Sequence, residues 1–67
     1  MQLLRINAVA ERVKFHPVHV RRLIKAGKFP APIRLGENRV AWIETEINEW
    51  LETKRMERDA AAREDAA

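Results

Sequence analysis

Apolar side chains recur at helical spacing in the first half of the chain. In the first segment they occupy positions i, i+3, i+4 and i+7, namely Ile6, Val9, Ala10 and Val13. This spacing predicts a helix from about Asn7 to Lys14, with Asn7 as its N-cap. A second segment repeats the inward spacing with Val20, Leu23, Ile24 and Gly27. Pro17 suits the first position of this second helix and Gly27 suits its C-terminal stop. Two short helices joined by roughly four residues predict a helix-turn-helix.

The pattern changes after Lys28, where Pro30 and Pro32 exclude a helix. Apolar residues then alternate with other residues at a period of two, at Ile33, Leu35, Val40 and Trp42. Residues 36–38 are Gly-Glu-Asn, and Gly and Asn tolerate the backbone of a tight turn. The pattern predicts a two-stranded β-hairpin, or wing, with Arg34 and Arg39 facing away from its apolar side.

A third helix is predicted from Ile43, Ile47, Trp50 and Leu51. Its first turn is acidic, as the helix dipole favours. Beyond Lys54, Met56 is the only large apolar side chain, so residues 55–67 form a charged Ala-rich tail, either a helical extension or disordered. We therefore predict a mainly α fold: a winged helix-turn-helix domain at residues 1–54 followed by the tail.

The length of 67 residues excludes a two-domain enzyme. The formal net charge of +3 hides an asymmetry, because residues 5–39 carry +7 and residues 40–54 carry −3. A strongly basic end is typical of a protein that binds a polyanion. The chain has no cysteine, no long apolar run and no signal-peptide pattern, so we expect a soluble cytoplasmic protein without disulfides. No phosphate loop, nucleophile motif or metal signature occurs, and we expect neither catalysis nor a cofactor.

The second helix has the composition of a DNA-reading helix. At 100° per residue its apolar stripe leaves an outer face that is basic with one exposed aliphatic group, flanked by His19 and Arg21. The outer face consists of Val18, Arg22 and Lys25. Arg can bond bidentately to guanine and Val18 can contact a thymine methyl in the major groove. The alternative is an ordinary solvated face. The helix-turn-helix spacing and the basic wing favour DNA.

The wing supplies further candidates for DNA contact. Arg34 and Arg39 flank the turn, where arginines on a β-ribbon can reach phosphates or a narrow minor groove, and Asn38 lies in the turn itself. The alternative for the two arginines is protection of an exposed strand edge from pairing.

Other polar and aromatic groups receive structural interpretations. His16 and His19, without cysteine or a third ligand, make a poor zinc site, and we expect them at the DNA-facing edge. We expect the aromatic residues in the core rather than in a base-stacking platform: Phe15, Phe29, Trp42 and Trp50. We expect the acids of the third helix to form a solvated face that repels DNA: Glu44, Glu46, Glu49 and Glu52.

Three stretches together resemble the AlpA-type phage and prophage regulators over about residues 4–52. They are Gly27-Lys28-Phe29-Pro30, Leu35-Gly36, and VAWIETEINEWL at residues 40–51. The joint spacing of F-P and V-x-W-x-x-x-E-I-x-x-W-L is fairly specific. The resemblance implies a small winged helix, related in fold to the DNA-binding part of MerR-like proteins and to phage excisionases. It implies that the second helix enters the major groove and that the wing follows the backbone or minor groove.

Carried over by position, the resemblance points to six residues for DNA binding: His16, Pro17, His19, Arg21, Arg22 and Arg39. Three positions depart from the pattern. The family commonly has Gly at the position of Lys14 and Ser or a similar cap at His16, so we expect a differently shaped turn with a weaker cap. It also tends to carry an aromatic residue where Arg21 stands, which bears on base preference.

The leading hypothesis is a sequence-specific regulator of transcription that binds double-stranded DNA and is encoded by a phage, prophage or other mobile element. The phosphates would be held by the wing and by Arg5, Arg12 and Lys14. One alternative is an excisionase that bends attachment-site DNA for an integrase, and another is a protein-interaction adaptor. An integrase or RNA polymerase is the candidate protein partner. The tail lacks a heptad pattern, so we expect a free monomer that assembles side by side on repeated sites.

Overall fold

The computed structural model describes residues 1–66 as three helices and a three-stranded antiparallel sheet. The elements follow one another in this order: β1 (Leu3–Leu4), α1 (Ile6–Val13), α2 (Pro17–Lys25), β2 (Ile33–Gly36), β3 (Arg39–Ile43) and α3 (Glu44–Ala66). The predicted winged helix-turn-helix is confirmed. Its helix-turn-helix is α1 and α2, and its wing is β2 and β3.

The first strand, β1, is an addition to the predicted two-stranded wing. It pairs antiparallel with β3, with Leu3 opposite Ile43 and Leu4 opposite Trp42. The strand order is therefore β1-β3-β2. Two residues are too short to show a period-of-two pattern, so only the pairing with β3 defines this strand. The pairing holds Leu3 and Leu4 against β3, at the edge of the wing strand opposite to β2.

The helix α1 begins one residue earlier than predicted, and the prediction of Asn7 as its N-cap is wrong. Arg5 holds the N-cap position with extended backbone and no side-chain cap bond. The β1 pairing keeps the chain extended as far as Leu4, so the helix begins directly after it. At the other end Lys14 has a φ of 62°, and the N–H of Phe15 donates to the carbonyl of Ala10 at 3.1 Å. This is the left-handed geometry that Gly adopts most readily.

The helix α2 has the predicted first residue, Pro17, and a left-handed residue after its end. Gly27 has a φ of 74°, and its N–H donates to the Ile24 carbonyl at 3.0 Å. The N–H of Lys28 donates to the Leu23 carbonyl at 2.8 Å. These two bonds form a Schellman motif, as the glycine at this position predicts. The motif turns the chain sharply into the segment that leads to β2.

The wing has a register that the alternation of apolar residues does not reveal. Ile33 lies opposite Ala41 and Arg34 opposite Val40, with a shift between Arg34 and Gly36. Residues opposite each other in an antiparallel pair share a face, so Arg34 shares a face with Val40, and Arg39 lies on the other face. The prediction that both arginines face away from the apolar side is therefore wrong. The register shift is typical of a β-bulge. It changes which residues of β2 and β3 lie on the same face of the sheet.

The core lies where the three helices meet the sheet. Its buried members come from all three helices, from β1 and the central strand β3, and from the loop between α2 and β2: Leu4, Val9, Ala10, Val13, Val20, Phe29, Trp42 and Ile47. Two indole N–H groups anchor that loop, since Trp42 donates to the Pro30 carbonyl and Trp50 to the Lys28 carbonyl, both at 2.9 Å. Phe15 departs from the core prediction because the residue is 38% exposed.

The helix α3 is joined to α1 near its start and continues through Ala66. The Arg12 guanidinium lies 3.2 Å from a Glu44 carboxylate oxygen and donates to the Asn48 side-chain oxygen at 3.3 Å. The helix includes residues 55–66 of the predicted tail, and residue 67 lies outside the described residues. Within residues 1–66, no helix combines the length and apolar character needed to cross a membrane.

Candidate nucleic-acid interface

The exposed side chains of α2 extend in three directions around the helix. Val20 is fully buried and marks the inward direction. At about 100° per residue, the opposite direction belongs to Val18, Arg22 and Lys25, all of which are exposed. Val18 is 46% exposed. The predicted outer face is thus present, with two cations and one aliphatic side chain on a helix of nine residues.

Arg21 lies on the flank of α2 that faces the wing. A concave surface of about 400 Å³ separates the two elements, and we call it the arginine groove. It is lined by Arg5, Ile6, Arg21, Leu35, Asn38, Arg39, Val40 and Ala41. The groove brings together three arginines from three parts of the chain: the residue after β1, α2 and the wing. None of its lining residues is acidic.

The position of Arg5 in this groove follows from β1. Because Leu4 pairs with Trp42 in β3, the residue after it is held beside the wing. Arg5 ends up next to the same groove as Arg39, although 34 positions separate them in the chain. A depression lined by three arginines and by no carboxylate is positively charged, and guanidinium groups are well suited to bind phosphate oxygens.

Ion pairing divides the basic residues into two groups. Arg12 and Lys14 are paired, with Glu44 at 3.2 Å and Glu11 at 3.1 Å. The other basic side chains of residues 5–39 have no carboxylate of residues 1–63 within 4.0 Å. They are Arg5, Arg21, Arg22, Lys25, Lys28, Arg34 and Arg39. In the structure Arg12 links α1 to α3 through Glu44 and Asn48, and phosphate binding by Arg12 and Lys14 stays a prediction.

His19 lies on the flank of α2 away from the arginine groove. Its ring meets Phe15 edge to face, with centroids 4.6 Å apart. It lines an apolar depression that includes Leu23 and Trp50. The structure thus separates His19 from Arg21 by about 200° around the helix axis. Residues two positions apart on a helix point to nearly opposite sides, so His19 and Arg21 belong to different surfaces.

The remaining predicted site residues have distinct environments. The ring of His16 accepts a hydrogen bond through Nδ1 from the Val18 N–H at 3.2 Å, so this side chain caps α2. Pro17 is half-buried at the first position of the helix. Arg34 is exposed and lies on the opposite face of the wing from Arg39. In the described part of the chain, no group of three His, Cys, Asp or Glu side chains is arranged to hold a metal ion.

The acids of α3 do not share one environment. Glu44 is half-buried and paired with Arg12, whereas Glu46 and Glu49 are exposed. Glu52 is exposed and bonded to Arg55, whose guanidinium lowers the pKa of the Glu52 carboxyl. The same bond raises the pKa of Arg55. The negative charges of Glu44 and Glu52 are thus each balanced by a neighbouring arginine, whereas Glu46 and Glu49 are exposed.

Comparison with protein-family models gives a match over most of the chain. A family model described as "Prophage CP4-57 regulatory protein (AlpA)" matches residues 2–56. The matched range contains β1, both helices of the helix-turn-helix, the wing and the first part of α3. Neither a curated protein nor a solved structure matches the chain.

Proposed function

Because the chain belongs to the AlpA family of prophage regulatory proteins, we propose that it regulates transcription by binding a specific sequence in double-stranded DNA. The observation that carries this proposal is the division of the basic residues. Those of α2, the wing and Arg5 have no carboxylate partner among residues 1–63, whereas Arg12 and Lys14 are paired. Unpaired cations on one surface attract a polyanion and release its counterions on binding.

The outer face of α2 is the proposed base-reading surface. An α-helix with its side chains is about 10–12 Å in diameter, which fits a major groove about 12 Å wide. Arg22 is the candidate for a bidentate bond to guanine, and Val18 for contact with a thymine methyl. Lys25, one turn after Arg21, would bind a phosphate or a base edge. Specificity in this proposal comes chiefly from Arg22.

The arginine groove is the proposed phosphate-binding surface. Arg5, Arg21 and Arg39 line it together, so one stretch of DNA backbone can contact the start of the chain, α2 and the wing at once. Contacts to phosphates fix the orientation of a protein on the duplex without reading its sequence. They would set the angle at which α2 enters the major groove. Arg34, on the other face of the wing, would reach a neighbouring phosphate or the minor groove.

The experiment begins with selection of a preferred duplex from a random library. The affinity of the chain is then measured for the selected duplex and for a random one. We expect Arg22→Ala to lose about 1–3 kcal/mol on the selected duplex and far less on the random one. Arg58→Ala, which removes an exposed charge on α3, is the matched control and should change both affinities equally and only slightly. Equal losses on both duplexes would contradict base reading by Arg22.

The same experiment separates the other candidate functions. A chain that binds no duplex at low salt but retains a protein would be an adaptor. A selected sequence found as tandem copies within an attachment site would indicate an excisionase that acts with an integrase. A selected sequence upstream of a promoter would support the proposed regulation of transcription through RNA polymerase.

A further inference from the structure

A second groove lies between α2 and α3, away from the arginine groove. We call it the apolar groove, and its volume is about 420 Å³. Its walls are formed by Phe15, Leu23, Trp50 and Leu51. Phe15 as a residue is 38% exposed, although its ring contacts His19 and lies 6.5 Å from the Trp50 ring, centroid to centroid. Phe15 and the three half-buried apolar residues beside it form a depression that a bulky apolar side chain can fill.

Two lysines border the apolar groove. Lys54 Nζ lies 5.4 Å from the centroid of a Trp50 ring and 3.3 Å from a Glu57 carboxylate oxygen. Lys28 has no carboxylate of residues 1–63 within 4.0 Å. Ammonium groups next to an apolar floor are complementary to a bulky apolar side chain that is adjacent to a carboxylate.

The tip of the wing presents that combination. Leu35 is 55% exposed, and the register of the wing passes from Arg34 to Gly36 without giving it a partner in β3. Glu37 follows two positions later and is the only acid between residues 28 and 43. A carboxylate there is unfavourable for contact with phosphates but favourable for contact with lysine. The tip is therefore apolar and acidic, whereas Arg34 and Arg39 on either side of it are basic.

We propose that the wing tip of one copy of this chain docks in the apolar groove of a second copy. Leu35 enters between Phe15 and Trp50, and Glu37 pairs with Lys28. The two surfaces are different, so the contact is heterologous and adds copies in a row. The wing and the apolar groove lie on opposite flanks of α2, marked by Arg21 and His19. The outer face of every α2 stays uncovered in such a row.

Cross-linking tests the contact directly, because the natural chain has no cysteine. One preparation carries Glu37→Cys and the other carries Lys28→Cys, and they are mixed under mild oxidation without DNA. We expect a mixed disulfide dimer. The control mixture replaces Lys28→Cys by Arg58→Cys, whose side chain is 73% exposed on α3. Equal dimer yields in the two mixtures, or no dimer in either, would overturn the proposal.

Charge reversal provides a second test that leaves the backbone unchanged. We expect Glu37→Lys to raise the Kd of self-association, measured by sedimentation at increasing protein concentration, about fivefold. Adding Lys28→Glu to the same chain should restore the lower Kd. Glu49→Lys, an exposed acid on α3, makes the same charge change and should leave the Kd unchanged. Circular dichroism checks that each variant is folded.

These measurements contain no DNA, so their outcome is independent of the proposed DNA binding. A Kd that responds equally to Glu37→Lys and Glu49→Lys would reflect net charge alone and would contradict the assigned contact. On DNA with two adjacent sites, the contact should raise the affinity for the second copy by about 5- to 150-fold. Glu37→Lys should remove that gain, and affinity for a one-site duplex is measured alongside because the added positive charge on the wing raises it.

Discussion

The Nδ1 atom of His16 accepts a hydrogen bond from the backbone N–H of Val18 at 3.2 Å. His16 stands at the N-cap of α2 with extended backbone, at φ −68° and ψ 144°. Its ring therefore satisfies one of the N–H groups that the start of a helix leaves without an intrahelical partner. An unusual residue type thus performs the function that Ser, Asp or Asn commonly performs. The side chain has a structural role that is independent of DNA.

This bond predicts a stability difference between two substitutions. His16→Ala removes the acceptor and should lower the free energy of unfolding by about 0.5–1 kcal/mol. His16→Asn retains an acceptor at a preferred N-cap and should be at least as stable as the natural chain. Urea denaturation followed by circular dichroism measures both. Equal destabilisation by Ala and Asn would show that the ring matters through packing against its neighbours.

Lys14 gives a second prediction, because its φ of 62° is costly for a residue with a side chain. Lys14→Gly relieves the strain but increases the freedom of the unfolded chain, and we expect a net gain of about 0.5–1 kcal/mol in the free energy of unfolding. Lys14→Ala is the control, since it also removes the exposed pair with Glu11 but keeps a Cβ. Only the glycine variant should show the gain in thermal or urea denaturation.

The helices could be predicted because their signals are local. Pro17 and Gly27 mark the two ends of α2, and the structure has both in the expected conformations. The strand β1 could not be predicted, since two residues carry no periodicity and only pairing with β3 makes Leu3–Leu4 a strand. The prediction that Arg34 and Arg39 share a face was wrong for a related reason. The register shift between Arg34 and Gly36 depends on contacts between strands, which the sequence of one strand does not reveal.

The sequence could predict which basic residues belong to the candidate site, but not how they lie relative to one another. Arg21 and Arg39 could be selected as basic residues of α2 and the wing, yet their meeting with Arg5 in one groove depends on the β1 pairing. The sequence predicts His19 at the DNA-facing edge from its position near the start of α2. Its contact with Phe15 turns it toward the apolar groove, and no spacing rule gives that contact.

The pair formed by Glu52 and Arg55 predicts a pH dependence of the helicity of α3. The bond to Arg55 lowers the pKa of Glu52 in the folded chain. Stabilisation from a lowered carboxyl pKa is present above the unfolded value and is lost as the pH falls through the folded value. Circular dichroism during acid titration should therefore show helix loss that Glu52→Gln lacks. We expect a small effect, because an exposed ion pair contributes little to stability. Identical titration curves for the natural chain and Glu52→Gln would contradict any contribution from this pair.

The arginine groove gives a prediction about the salt dependence of DNA binding. If Arg39 binds a phosphate, Arg39→Ala should weaken binding to specific and random duplexes alike and reduce the slope of log Kd against log salt by about one. Arg5→Ala should do the same, because both side chains line the same groove. Arg12→Ala is the matched control: it removes one positive charge from the same half of the chain, but that charge is already paired with Glu44.

The control decides between a local contact and an effect of net charge. All three substitutions lower the formal charge by one, so long-range attraction of the duplex falls equally in each. A phosphate contact releases counterions only where the side chain meets the backbone, and this predicts a reduced slope for Arg5 and Arg39 but not for Arg12. Equal slopes for all three variants would mean that the groove makes no direct phosphate contact. A reduced slope for Arg39 alone would place the wing on the DNA and leave Arg5 outside the interface.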